Sequence, residues 1–544
     1  MSSGGAVTAT GQETGNQAER PRSIPALLDE RAQATPDAPA IAVPSGESSY
    51  RELADSTIRS ARRLCAAGVG PGDRVAILLR EVSEPYVSLG LGAMRLGAIC
   101  LPINARNKSH ELGYVLDHAR PTVLITSDEF ASLVQEAGLP EGCRQVVLGA
   151  DDDFDAGEAR VEAAEVAGLE AAVGRDDPAL LLYTSGTTSN PKGCLITHAA
   201  MLAEGANCVE RLGATAADRL WTPLAMFHVG GWQSLMIGMV SGGCFSHVGF
   251  FEAGAALDQI ERQRVTIAFP AFELIWLAVL EHPRFPQADL SALRIVINVG
   301  VRERLVRMQE MVPQATQVSC LGMTECCGSM CMGSPEDSLE ARTTTSGRPL
   351  PGMELKVVDP LGGERPRGEA GELLFRGVSA FDRYYRDPEN TAATIDEEGW
   401  IRTGDLVRFT EEGMVQYQGR LKDMLKVGGE NVSAAEIEGF LLTHPGVAVA
   451  SVVGAPDARY GEVVAAFVQC TPGVDVDEQE LIQFCVGRIA TFKVPRYVRF
   501  VDQYPTTATA KIQKFVLRER IEAELRELGI TEAPRLASRP RGGG

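Results

Sequence analysis

The chain reads as an α/β protein: a large N-terminal domain of parallel sheets flanked by helices, with a small β-barrel-like part, then a smaller α+β domain. Three observations predict this. Short runs such as IAVP, DRVAILL, TVLITS, RQVVLG, ALLLYTS, IAFP and LRIVINV alternate with helical patterns between residues 24 and 419. Rich in Val, Ile and Leu at successive positions, they predict parallel strands buried on both faces. The later runs MELKVVDP, GELLFRG and GMVQYQGR, separated by Gly-rich turns, predict antiparallel pairing. After GRLKDMLKVGGENVS a compact helix-and-strand series of about 110 residues follows, near the usual size of one domain.

Taken in order, residues 1–23 are polar and rich in small side chains, and read as a loose tail. ELADSTIRSARRLCAAG has helical spacing and stops on glycine. The body extends over 24–419, with a hinge at 420–422. The second domain spans 423–530 as helix AAEIEGFLLTH, strands VAVASVVG and VVAAFVQC, helix EQELIQFCVGRI, strand YVRFVD and helix IQKFVLRERIEAELREL. Residues 531–544 read as a second loose tail. No period of 20 to 50 residues recurs, which argues against a solenoid.

With 544 residues, the chain is too long for one core. Its net charge of −20 argues against a nucleic-acid backbone or an anionic membrane surface as partner, though not against a small anion. The N-terminus lacks the basic and apolar regions of a secretory signal, and no apolar run approaches the ~20 residues that span a bilayer. Twelve scattered cysteines then predict reduced thiols in the cytoplasm. Cys320, Cys326, Cys327 and Cys331 lack paired C-x-x-C spacing and have no nearby His, so they read as small residues around a pocket rather than a metal site.

LLLYTSGTTSNPKG, residues 180–193, is the stretch richest in chemistry. A buried strand breaks into a Gly/Ser/Thr loop and then reaches a lysine. Glycine lets backbone approach, N–H and hydroxyl groups donate to phosphate oxygens, and a cation offsets their charge. The Walker pattern G-x-x-x-x-G-K-[ST] is absent, and composition alone also fits a linker.

Length and order of motifs decide between the two. YTSGTTSNPKG resembles the phosphate loop of the adenylate-forming superfamily. GMTE (322–325) matches that family's x-G-x-T-E element, GWIRTGDLVRF (399–409) its T-G-D element, GRLKDMLKVGGENVS (419–433) its hinge and following loop, and KIQK (511–514) its late lysine motif. All five occur in family order, and the similarity runs from about residue 24 to 530. FKVPRYVRF, TTSGRPLPGMELKVVDP and YYRDPENTA resemble the acyl-CoA ligase branch in particular.

The resemblance implies a two-step reaction: a carboxylate attacks the α-phosphate of Mg-ATP, giving an acyl-adenylate and pyrophosphate, and the thiol of CoA then displaces AMP. It assigns Thr184, Ser185, Gly186, Thr187, Thr188 and Lys192 to the phosphates, and Glu325 to Mg²⁺, with Thr324 at the α-phosphate. Leu321, Gly322 and Met323 complete that element. Asp405 would take the ribose hydroxyls, and Arg420 the ribose or a phosphate. Lys511 would neutralise charge between carboxylate and α-phosphate. Lys422 is the hinge about which the second domain turns, and Gly428 and Gly429 approach the pantetheine arm of CoA. His228, in PLAMFHVGGW, would sit near the substrate carboxylate; without the resemblance it reads as a packed core histidine. Phe227, Val229, Trp232 and Met323 would line an apolar pocket, with Trp232 either a gate or plain core.

The chain departs from the family pattern at Ser189, at Leu321 (where an aromatic is usual) and at Ala510 (where glycine is usual). INVGVRERL occupies the place of the G-G-A-P stretch, putting Gly300, Val301 and Arg302 near the adenine and substrate pocket. Arg302 reads as surface, as an ion-pair member or as an extra anion contact. The leading expectation is an ATP-dependent acyl-CoA ligase for an apolar or aromatic acid. Alternatives are activation of another anion such as nitrite, transfer to an amine, and an inactive nucleotide-binding scaffold. Retention of Lys192, Glu325, Asp405, Arg420 and Lys511 speaks against the last. Oligomeric state and chain length of the acid have no signal in the sequence.

Overall fold

The computed structural model describes residues 7–8, 22–184, 191–427, 430–506 and 512–536, the side chains of residues 7, 8, 422 and 431 excepted. Two seven-stranded sheets form the body. The first runs in the order 383–384, 192–197, 178–184, 99–102, 74–78, 123–126 and 144–147; the second runs 316–318, 295–299, 267–272, 219–222, 244–247, 39–43 and 46–49. Their central pairs are parallel, as the continuous apolar runs require. Each sheet ends antiparallel on one side and parallel on the other. Ala-Leu-Leu-Leu-Tyr-Thr, in strand Pro178–Thr184, pairs in parallel with Ile99–Pro102 on one side and antiparallel with Lys192–Thr197 on the other. The antiparallel return follows from chain length: Thr184 and Lys192 are too close in sequence for a parallel crossover.

Helices cover the sheets for readable reasons. Tyr50–Ala66 starts at Ser49, whose side chain accepts from the Glu52 N–H while Glu52 reaches back to the Ser49 N–H; it buries Tyr50, Leu53, Ala54, Ala61 and Leu64. Val229–Ser241 is apolar on all sides and accordingly buried nearly all round, down to its left-handed Gly242 stop.

Antiparallel strands 353–358, 371–377, 401–409 and 415–420 make the third sheet, joined at its edge by the backbone of 7–8. Past it lies a smaller C-terminal domain. Its sheet runs 430–433, 424–427, 461–470, 447–457, with 497–500 parallel to 461–470. Two apolar clusters pack on its opposite faces, one around Ile437, Leu441 and Leu481, the other around Leu517, Ile521 and Leu525. Met424–Val427 and Glu430–Ser433, in the stretch expected as hinge and loop, are paired antiparallel strands. Among the described residues no helix is long and apolar enough to cross a membrane.

Candidate active site

Lys192 opens the strand Lys192–Thr197 and pairs with Thr184, the last residue of the preceding strand; Thr184 Oγ1 donates to the Lys192 carbonyl at 3.4 Å. Across the next edge, Tyr384 pairs with Cys194. Residues two apart on a strand share a face, so Lys192 falls diagonally beside Tyr384. Its Nζ lies 4.4 Å from the Tyr384 ring centroid.

The GMTE element is the tip of a hairpin whose arms are Cys320–Leu321 and Cys331–Met332. Thr324–Cys326 form one tight turn, closed by Cys327 N–H to Thr324 O at 3.0 Å and Gly328 N–H to Met323 O at 3.2 Å. Gly322 is required: a Cβ there would sit 1.6 Å from Gly328 O. The turn places Glu325 6% exposed, its Oε1 accepting the Tyr384 hydroxyl at 2.6 Å. Burial and the Glu325 charge push the Tyr384 phenol up, so it remains a donor. Leu321 and Met323 are half-buried against the main core.

Behind the turn stands Glu204, fully buried on the helix His198–Leu212. Its Oε1 accepts from Ser329 N–H at 2.9 Å and from Gln233 Nε2 at 2.7 Å, which ties the hairpin to two helices. Burial raises its carboxyl to about 7. Cys320, Cys326, Cys327 and Cys331 are all buried, and burial raises their thiols, Cys320 to about 12.

On the third sheet Asp405 and Arg420 are register partners, with Arg420 Nε 2.8 Å from Asp405 Oδ1. Arg420 Nη1 also donates to Thr403 O at 2.9 Å, so the guanidinium is held at two points. His228 caps the helix Val229–Ser241: its Nδ1 accepts from Gly230 N–H at 3.1 Å, which puts the neutral ring's proton on Nε2. Its ring meets Phe272 edge-on at 6.1 Å, Phe227 is half-buried and Val229 is buried.

At Trp232 and Arg302 the structure selects among the readings left open by the sequence. Trp232 has no exposed surface; its indole N–H donates to Met226 O at 2.7 Å and its ring abuts Gly90, so it is core. The physical reason is that its helix is enclosed on every side. Arg302 is half-exposed and paired with Glu340 at 2.7 Å, so it is a surface ion-pair member. The inward cation of that segment is the buried Arg304, which pairs with the half-buried Glu273; Glu273 Oε2 in turn accepts from Val301 N–H at 3.1 Å and lies against Gly300. Burial raises the Glu273 carboxyl despite Arg304. Ser185, Gly186, Thr187, Thr188, Ser189, Gly428, Gly429, Ala510, Lys511 and the Lys422 side chain lie outside the described residues.

Sequence reading missed Tyr384 and Glu204 as site-forming residues. Tyr384 lies in YYRDPENTA, a stretch that carried a likeness but no role; Glu204 is one acid among many until the fold buries it.

Comparison with known proteins fits this arrangement. The family model described as AMP-binding enzyme matches residues 28–385, and that for the AMP-binding enzyme C-terminal domain matches 436–511. The chain belongs to the AMP-binding enzyme family, and it is an AMP-forming ligase of the acyl-CoA synthetase type. It is 35% identical over 515 residues to the 7a-methyl-1,5-dioxo-octahydro-1H-inden-4-yl-propanoyl:CoA ligase of Mycobacterium tuberculosis, covering 92% of this chain and 99% of that one. To the indoleacetate–CoA ligase of Aromatoleum aromaticum it is 34% identical over 506 residues, covering 91% and 97%. Among solved structures, the anthranilate CoA ligase AuaEII in complex with anthranoyl-AMP superposes with a TM-score of 0.85 at 28% identity, covering 94% of this chain and 100% of that chain.

Proposed function

We propose that the protein activates an apolar or aromatic carboxylic acid with ATP and transfers the acyl group to CoA. The observation that carries the reading is the convergence of Lys192 and the buried Glu325 carboxylate on Tyr384. A carboxylate oxygen attacks the α-phosphorus and the bond to pyrophosphate breaks. The CoA thiolate then attacks the acyl carbon, and AMP leaves with that carboxylate oxygen. Bringing two anions together needs cations and oriented donors, and Lys192, Arg420 and Lys511 provide the cations.

Tyr384 takes one oxygen of Glu325, and the other is a hard donor suited to Mg²⁺. Mg²⁺ bound there supplies charge neutralisation to the phosphates. Asp405 accepts from the ribose hydroxyls and Arg420 holds it in place. Thr184 to Thr188 line the phosphates; Gly300, Val301 and Leu321 to Thr324 border the nucleotide. His228, through Nε2, faces the acid, and Phe227, Val229 and Met323 supply apolar walls. Aromatic or alicyclic acids in the names of its relatives support that class. The second domain, 423–530, turns about Lys422 to exchange Lys511 for Gly428 and Gly429. All twelve cysteines are free thiols, which fits the reducing cytoplasm.

Pyrophosphate release with ATP and Mg²⁺, across aryl, alicyclic and fatty acids and nitrite, with and without CoA, tests this. A thioester formed from one apolar acid class is expected. Pyrophosphate without any thioester, or only with nitrite and an amine, would overturn it.

A further inference from the structure

Resting on that reading, we propose that Tyr384 is a positioning residue: a spacer that keeps the Lys192 ammonium and the Glu325 carboxylate from neutralising each other. The Lys192 Nζ sits over the ring at 4.4 Å, and the hydroxyl at the far end of the same ring donates to Glu325 Oε1 at 2.6 Å. Cation and anion thus contact one side chain in two different ways, and no ion pair within 4.0 Å joins them among the described residues.

The ring is packed and its strand is anchored. Phe381 packs against it at 4.9 Å between centroids, and the Phe381 N–H donates to the Glu325 carbonyl at 2.8 Å. Tyr384 N–H donates to Thr391 Oγ1 at 3.1 Å, and the following Tyr385 N–H donates to Gly193 O at 2.7 Å. The side chain so placed is 3% exposed.

The arrangement solves a problem created by burial. Opposite charges in a low-dielectric site attract strongly and, once paired, have little left for a ligand. An aromatic face satisfies an ammonium weakly enough for phosphate to displace it. A hydroxyl satisfies one carboxylate oxygen and leaves the other for a cation. Tyrosine offers both ends at the required separation. Phenylalanine offers only the face, and leucine neither.

The test is binding, measured by calorimetry with metal-free ATP in EDTA, and by Mn²⁺ titration followed by electron paramagnetic resonance in the presence of ATP. Tyr384→Leu should weaken metal-free ATP at least tenfold, and Tyr384→Leu with Glu325→Gln should regain affinity to within about threefold, because Lys192 is then released. A merely structural role would give no such rescue. Tyr384→Phe should keep metal-free ATP affinity within threefold while weakening Mn²⁺ about tenfold. ATP binding by a folded Tyr384→Leu within twofold of the wild type, or absence of rescue, would overturn the spacer. Should Tyr384→Leu not fold, loss of metal-free ATP affinity in Tyr384→Phe would overturn it alone. Failure of the wild-type protein to bind ATP would instead overturn the functional reading.

Discussion

Asp405 and Arg420 face each other across adjacent antiparallel strands, Oδ1 to Nε at 2.8 Å, with the carboxylate 1% exposed and the guanidinium reaching toward solvent. The sheet register puts the two side by side, where the proposed function has the carboxylate accept from the ribose diol and the guanidinium meet a phosphate. Asp405→Ala removes the acceptor and leaves Arg420 half-tied. We expect the KM for ATP to rise at least tenfold, with a stability loss of about 1–3 kcal/mol. Steady-state kinetics and urea unfolding check both; Asp405→Asn should recover most of the stability but not the KM.

Glu204 carries a pH signature. Its carboxyl is raised from 4.5 to about 7 by burial, so the unfolded chain releases the proton first as pH rises. Its penalty is therefore absent below about pH 4.5, grows between 4.5 and 7, and is constant above. Glu204→Gln keeps an acceptor for Ser329 and Gln233 without the charge. The variant should be more stable than the wild type at pH 8, by up to a few kcal/mol, and should converge on it near pH 5. Thermal unfolding across that range measures it.

Gly322 has no room for a methyl group, since Gly328 O would lie 1.6 Å from it. Gly322→Ala must open the hairpin that presents Glu325. A loss of about 1–3 kcal/mol or more is expected, together with Mn²⁺ binding weakened tenfold by the titration described for Tyr384.

Trp232 separates packing from gating. Its ring is enclosed and its N–H is satisfied by Met226, so Trp232→Ala should cost about 3–5 kcal/mol. Trp232→Phe should leave the ratio of kcat with long and short thiols unchanged. A gate would show the reverse: small stability loss and a shifted ratio.

Much of this was legible in the sequence where one local rule governs. Ser49 and Glu52 announce their helix through a capping box, and continuous Val/Ile/Leu runs announce buried strands. The glycines that open and close GMTECCG, Gly322 and Gly328, announce a tight turn. What escaped depends on long-range contact. Tyr384 acquires a role only because its strand pairs with Lys192–Thr197, some 190 residues earlier, while Glu325 arrives from a hairpin 59 residues away. Arg302 and Arg304 look alike in INVGVRERL, and only the helix that begins at Arg302 turns one to solvent and the other onto Glu273. Glu204 is invisible until its helix is buried against the GMTE hairpin.

The most direct measurement follows an atom. An acid accepted in the panel would be labelled with oxygen-18 in both carboxylate oxygens and incubated with ATP, Mg²⁺ and CoA, and the nucleotide product weighed by mass spectrometry. Attack of the carboxylate on the α-phosphorus predicts AMP carrying one heavy oxygen and a thioester carrying the other. Unlabelled AMP, or ADP in its place, would contradict an acyl-adenylate and with it the assigned chemistry.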